Sequence, residues 1–132
     1  MILVDTSAWV EFLRDTGSAV CNEVDRLLGA RCAVTDPVVM EVLAGARDDR
    51  HLRDLRGLLA RAQLLRCESI DYEAAALLYR ACRTRGVTVR RLVDCLIGAV
   101  AVRHQARILH MDADFDTLAE HTGVEVARVL RR

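Results

Sequence analysis

The sequence predicts an α/β fold: a central, mostly parallel sheet flanked by helices on both faces. Three observations carry that expectation. Short apolar runs of strand length recur at 1–5, 32–35, 64–67, 107–111 and 124–129, separated by longer segments with helical periodicity. Read in order, the segments run β-α-α-β-α-α-β-α-α-β-α-β, and strands joined through helical crossovers pair in parallel. The 132 residues are 52% hydrophobic and 29% charged, a globular composition long enough for one domain, residues 1–132, with a sizeable core.

Each element has its own local reason. MILVD at 1–5 is an apolar run closed by Asp5. From Thr6 to Arg14 the residues Trp9, Val10, Phe12 and Leu13 make an apolar helical stripe, with Glu11 and Arg14 outside it. Ser18 to Leu28 reads as a second helix, ended by Gly29. Cys32 to Thr35 is strand-like. Asp36-Pro37 then signals a helix start, a capping residue with proline at the first helical position. Residues 49–62 are amphipathic, with Leu52, Leu55, Leu58 and Leu59 on one side and arginines on the other. Leu64 to Cys67 is a strand. Asp71 opens a long helix stopped by Gly86, Val87 to Arg90 connects, and Arg91 to Gln105 is a helix that is apolar nearly all round. Arg107 to Met111 is a strand leading into the acidic run DADFD, and a last short strand fits Val124 to Val129.

Composition excludes several classes. The longest apolar run, LIGAVAV at 96–102, falls far short of the ~18–20 residues of a membrane span. Asp5 and Glu11 interrupt the N-terminal apolar stretch, so no signal peptide is expected and the chain is expected in the cytoplasm. The five cysteines, at 21, 32, 67, 82 and 95, are odd in number, lack CxxC spacing and lie in apolar segments, which reads as reduced, buried thiols rather than a zinc site. Nineteen basic residues balance nineteen acidic ones, which argues against a strongly basic nucleic-acid binder. All nineteen are arginines, whose planar fork suits phosphate wherever it faces a ligand.

The chemistry lies in the acids. Asp94 interrupts an otherwise apolar helix, where a lone carboxylate is costly to desolvate. Gly98 and Ala101, on its helical face, are small and expected to leave room beside it. Glu41 sits in VVMEVLAG with apolar neighbours on both sides. Asp5 and Asp112 each lie just past the carboxyl end of a predicted strand, where open parallel sheets build their sites. Asp114 and Asp116 follow. Each acid alone has a plainer reading: a helix cap, a dipole partner or half of an ion pair. Together, acids on four elements would repel one another without a counter-ion. An all-oxygen set favours a hard cation, Mg²⁺ or Mn²⁺, and such sites suit phosphodiester hydrolysis. His110 reads as structural, and no covalent-nucleophile motif or phosphate-binding loop is present.

Four stretches carry a resemblance. VDTSAWVEFL, EVLAG, GVTVRRLVDCLIGAVAV and ILHMDADFDTLA, in that order from Ile2 to about Val129, resemble the PIN-domain ribonucleases, specifically the VapC-type toxins of bacterial toxin–antitoxin pairs. The resemblance implies a PIN-like fold and a Mg²⁺- or Mn²⁺-dependent endoribonuclease acting on structured RNA, often tRNA, with metal-activated water. It implies Asp5, Glu41 and Asp94 as principal acids, and offers both Asp112 and Asp114 as the fourth. Thr6 and Ser7 match the family's hydroxyls, either orienting a ligand water or capping the first helix. Relatives often carry Ser or Thr just before Asp94; here Arg91-Leu92-Val93 stand instead. A small VapB-type antitoxin is implied as partner, with Trp9 and Phe12 as candidates for its apolar groove and core packing as their other role. A homodimer is implied, through the leucine-rich 52–59 face or the 72–82 helix. Arg14, Arg90 and Arg91 are expected to hold the RNA backbone. The rival readings are another metal-dependent nuclease, acting on DNA or flaps, and a non-catalytic binding module whose acids pair with arginines.

Overall fold

A computed structural model describes residues 1–129. Four three-residue strands form one parallel sheet: β1 (Ile2–Val4), β2 (Ala33–Thr35), β3 (Gln63–Leu65) and β4 (Arg107–Leu109). Their order is β3-β2-β1-β4. The chain therefore steps outward from β1 on one side, then crosses back to lay β4 on the other. That reversal is a topological switch point, and the crevice beyond the carboxyl ends of β1 and β4 is where open α/β sheets bind ligands. The register there pairs Val4 with Leu109, so both strands end level.

Among the described residues six helices connect the strands, α1 (Thr6–Leu13), α2 (Ala19–Leu28), α3 (Asp36–Ala44), α4 (Asp49–Leu59), α5 (Ser69–Thr84) and α6 (Leu92–Arg103), and a seventh, α7 (Ala113–His121), follows β4. Leu3, Val4, Ala33, Val34, Ile108 and Leu109 are all buried, although successive strand residues point to opposite faces. Helices must therefore cover both sides of the sheet. The α6 helix is buried from Asp94 through Ala101, as its nearly unbroken apolar sequence requires. It packs along α5, and Phe115 and Leu118 of α7 complete that side of the core. Cys21, Cys32, Cys82 and Cys95 are buried free thiols, and Cys67 is half-buried.

Three local expectations change. Asp36 does not cap α3. Thr35 takes the N-cap position and Pro37 the second helical one, while the Asp36 carboxylate accepts the Cys67 N–H at 2.8 Å and ties the end of β2 to the end of β3. Asp71 does not open α5. It lies one turn in, accepts the Glu68 N–H at 2.8 Å and is clamped by Arg103 of α6. The expected strand over 124–129 shrinks to one parallel bridge, Ile108 to Val126. Its apolar anchor, Val124, packs instead against Gly98 in α6, where an added Cβ would lie 3.1 Å from the valine methyl. Gly98 thus seats the C-terminal segment rather than leaving space beside Asp94.

Candidate metal centre

The site is built from strand ends and helix starts. Asp5 follows β1 and caps α1: its Oδ2 accepts the Ser7 N–H at 3.0 Å and the Ser7 hydroxyl at 2.5 Å. Its Oδ1 is buried with no hydrogen-bond partner among the described residues. The same Ser7 hydroxyl accepts the Met111 N–H at 2.9 Å, and the Asp5 N–H donates to the Leu109 carbonyl at 3.0 Å. These bonds fasten the start of α1 to the segment leaving β4.

Asp112 and Asp114 arrive on that segment. Asp112 caps α7 by accepting the Asp114 N–H at 2.9 Å. Asp114 is buried, and its carboxylate accepts the backbone N–H groups of Arg90 and Arg91 at 3.1 and 3.2 Å. One side chain of the β4–α7 region therefore holds the start of α6 in place. Asp94 stands in the first turn of α6, and one oxygen from each of Asp94, Asp112 and Asp114 lies within 4.8 Å of the others. Glu41 enters from α3, its Oε1 accepting the Thr6 hydroxyl at 2.8 Å and its Oε2 paired with the Arg91 guanidinium. Asp5, Glu41, Asp94, Asp112 and Arg91 line one cleft of about 370 Å³, with Asp114 behind them.

Electrostatics follow from this crowding. Burial, a hydrogen bond to Asp114 and the charges of Asp5 and Asp112 push the Asp94 carboxyl up to about 8. Burial also raises Asp5, against the opposing hydrogen bonds from Ser7. Asp114 is buried too, but hydrogen bonds from Asp94 and from the Arg90 and Arg91 N–H groups outweigh burial and hold it below the ordinary carboxylate value. The contact between the two carboxyls thus moves them in opposite directions, Asp94 upward and Asp114 downward. The Asp94 Oδ2, like the Asp5 Oδ1, is buried without a partner among the described residues. Leaving a buried polar oxygen unsatisfied is costly. Two such oxygens in an all-carboxylate set fit a hard divalent cation.

A PIN-domain profile matches residues 2–121. The chain belongs to the PIN-domain family, on its VapC-type branch. It is 50% identical over 131 residues to ribonuclease VapC11 of Mycobacterium tuberculosis and to VapC ribonuclease Mb1587 of Mycobacterium bovis, covering 96% of this chain and 98% of each relative. Among solved structures, FitAcB from Neisseria gonorrhoeae superposes with a TM-score of 0.75 at 20% identity, over 97% of both chains. VapBC2 from Rickettsia felis, bound to a promoter DNA fragment, gives 0.73 at 16%, over 92% of this chain and 96% of that one. The sarcin–ricin-loop-cleaving VapC20 of Mycobacterium tuberculosis gives 0.67 at 19%, over 97% and 99%. At these identities the likeness is one of fold.

Within this PIN domain the sequence-derived residues separate. Asp5, Thr6, Ser7, Glu41, Asp94 and Asp112 meet at the cleft, and Asp114 supports it. Trp9 is fully buried, which leaves it no surface for a groove; core packing takes both faces of its ring. Phe12 is half-buried against the core. Arg14 is exposed at the end of α1 and does not line the cleft. Arg90 lies exposed beside Asp112 and Asp114, whereas Arg91 turns inward to Glu41. Sequence reading missed Glu11, which also lines the cleft. It follows Ser7 by four residues, one helical turn, and that spacing was the available signal. Asp116 is exposed and meets His110, which packs on Phe115 with ring centroids 5.3 Å apart.

Proposed function

We propose that this PIN domain is a metal-dependent endoribonuclease, the toxin of a toxin–antitoxin pair, which hydrolyses structured RNA, tRNA foremost. The observation that carries the reading is the convergence of Asp94, Asp112 and Asp114 oxygens within 4.8 Å, together with an Asp5 and an Asp94 oxygen that have no hydrogen-bond partner among the described residues. Asp5, Asp94 and Asp112 would hold Mg²⁺ or Mn²⁺, with Glu41 joining them directly or through water. A divalent cation bound there would activate water and offset charge on the scissile phosphate. The chain's own residues do the positioning. Ser7 fixes the Asp5 carboxylate, Thr6 fixes Glu41, and Asp114 sets the α6 turn that carries Asp94. Arg91, in the cleft, and Arg90, exposed beside Asp112, would grip the RNA backbone through forked guanidinium–phosphate contacts. Hydrolysis by external water leaves 5′-phosphate and 3′-hydroxyl ends.

A small VapB-type antitoxin is the proposed partner. The solved VapBC relatives support it, as does the acidic cleft, which suits an inserted basic side chain. The toxin itself would be a homodimer. Purified chain incubated with an RNA pool should cleave in Mg²⁺ or Mn²⁺, stop in excess EDTA, and lose cleavage on Asp94→Asn or Asp5→Asn with the fold intact. Full activity in EDTA or in either variant sinks the reading; equal cleavage of DNA would redirect it to a general nuclease. The rival of a non-catalytic module requires each acid to have its own arginine. Among the described residues Glu41 and Asp112 do have one, but Asp5 and Asp94 do not, which favours the nuclease.

A further inference from the structure

Arg91 is a cation already inside the acidic cleft. Its guanidinium pairs with Glu41, fifty residues away in sequence, and the charges of Asp94 and Asp112 bear on it as well. Its backbone is pinned, because its N–H donates to Asp114 at 3.2 Å. Its side chain is 50% exposed, so the guanidinium can leave Glu41 without unpacking the core. Glu41 is held from the other side by the Thr6 hydroxyl, which keeps the carboxylate at the cleft wall whether or not the arginine stays. A planar guanidinium binds phosphate with the same fork it uses for carboxylate, so an exchange between the two preserves paired hydrogen bonds.

We propose that Arg91 competes with the divalent cation for Glu41: in the free chain it holds Glu41 out of the metal site, and it moves onto an RNA phosphate when the backbone enters the cleft. This rests on the nuclease reading above and adds a coupling to it. RNA and metal then strengthen each other's binding, because the phosphate removes the competitor of the cation. The free chain binds the cation weakly, and the site completes itself on substrate.

Mn²⁺ binding to the full chain, followed by calorimetry, tests the idea in a cycle of wild type, Arg91→Gln, Glu41→Gln and the double variant. Arg91→Gln should bind Mn²⁺ about fivefold tighter or more. In the Glu41→Gln background the same change should have little effect. A short 2′-O-methyl oligonucleotide should tighten Mn²⁺ on the wild type and not on Arg91→Gln. Unchanged or weaker Mn²⁺ binding in Arg91→Gln overturns the proposal. So does an equal gain with and without Glu41, which would mean that the arginine acts only through its field. An oligonucleotide that tightens both chains equally, or neither, overturns the exchange. A wild-type chain that binds no Mn²⁺ defeats this proposal and the nuclease reading together, whereas Mn²⁺ binding indifferent to Arg91 defeats this proposal alone.

Discussion

The Met111 N–H donates to the Ser7 hydroxyl at 2.9 Å across 104 residues of sequence. That hydroxyl simultaneously donates to Asp5, so a single oxygen joins the end of β4 to the acid that follows β1. The two strands already pair in register up to Val4 and Leu109, and Ser7 extends the alignment to the residues beyond them. Ser7→Ala should therefore do two things. It should lower stability by about 1 kcal/mol, since the buried Asp5 carboxylate loses a partner and the exposed Met111 N–H loses its tie to α1. It should also reduce RNA cleavage by about tenfold or more, as Asp5 loses its fixed orientation. Urea unfolding and cleavage rates read the two effects separately. Ser7→Thr, which keeps the hydroxyl, should restore most of both.

Asp94 gives a prediction with a definite pH sense. Burial, the hydrogen bond to Asp114 and the neighbouring acids push its carboxyl up to about 8 in the fold, from the ordinary 3.8 of the unfolded chain. Between those values the folded chain holds the extra proton, so this residue's contribution to stability falls as pH rises through the window. Asp94→Asn removes the titration while keeping a donor toward Asp114. In EDTA it should be more stable than the wild type, by a margin that is small near pH 4, widens to pH 8 and then levels. Thermal scans at stepped pH check this. The same variant should lose at least about a hundredfold in cleavage. A variant that is both more stable and inactive marks a carboxylate kept for function.

How much of this was legible in the sequence follows from the range of the interactions. The strand–helix alternation was readable because each segment's periodicity is local. Glu41 and Asp94 stood out because a carboxylate within apolar sequence is conspicuous wherever the chain later goes, and Asp5 and Asp112 because each directly follows an apolar strand. What the sequence did not reveal is set by partners distant along the chain. Arg91 reads as a rim arginine until Glu41 is brought opposite it from α3. Trp9 shares an apolar stripe with Phe12, and only the packing of α1 separates a wholly buried ring from a half-buried one. Asp36 and Asp71 look like N-cap residues by local rules, yet the Asp36 carboxylate goes to the Cys67 N–H, and Asp71 caps back to Glu68 from the third helical position while also taking Arg103. The expected last strand fails for the same reason, since Val124 answers to Gly98 rather than to the sheet.

Gly98 yields a stability prediction independent of the site. An alanine Cβ there would come within 3.1 Å of a Val124 methyl, with Leu118 and Leu78 at 3.6 and 3.7 Å. Glycine-to-alanine changes inside helices usually stabilise by up to about 1 kcal/mol. Here the overpacking should reverse the sign, for a net loss of about 1–2 kcal/mol. Val124→Ala in the same chain should recover part of the loss by relieving the contact. Chemical denaturation of the single and double variants measures the coupling.

The Asp71–Arg103 pair should dominate the acid limb of stability. Asp71 is 1% exposed and accepts Arg103 Nε and Nη2, each at 2.8 Å, while a second contact of Nη2 reaches the Arg66 carbonyl at 2.7 Å. The Arg103 hydrogen bonds hold the Asp71 carboxyl below its ordinary value. Arg103→Met strands a buried carboxylate in the first turn of α5. A fully buried pair broken this way loses about 3–5 kcal/mol. The Arg103 side chain is 34% exposed and partly screened, so about 2–3 kcal/mol is expected. The depressed pKa fixes the direction with pH: the contribution is complete above 3.8 and disappears as pH falls through the lower, folded value. Wild type and Arg103→Met should therefore differ fully at pH 7 and converge in strong acid. A gap that stays constant down to pH 2 would mean that the arginine stabilises by packing its stem rather than by its charge.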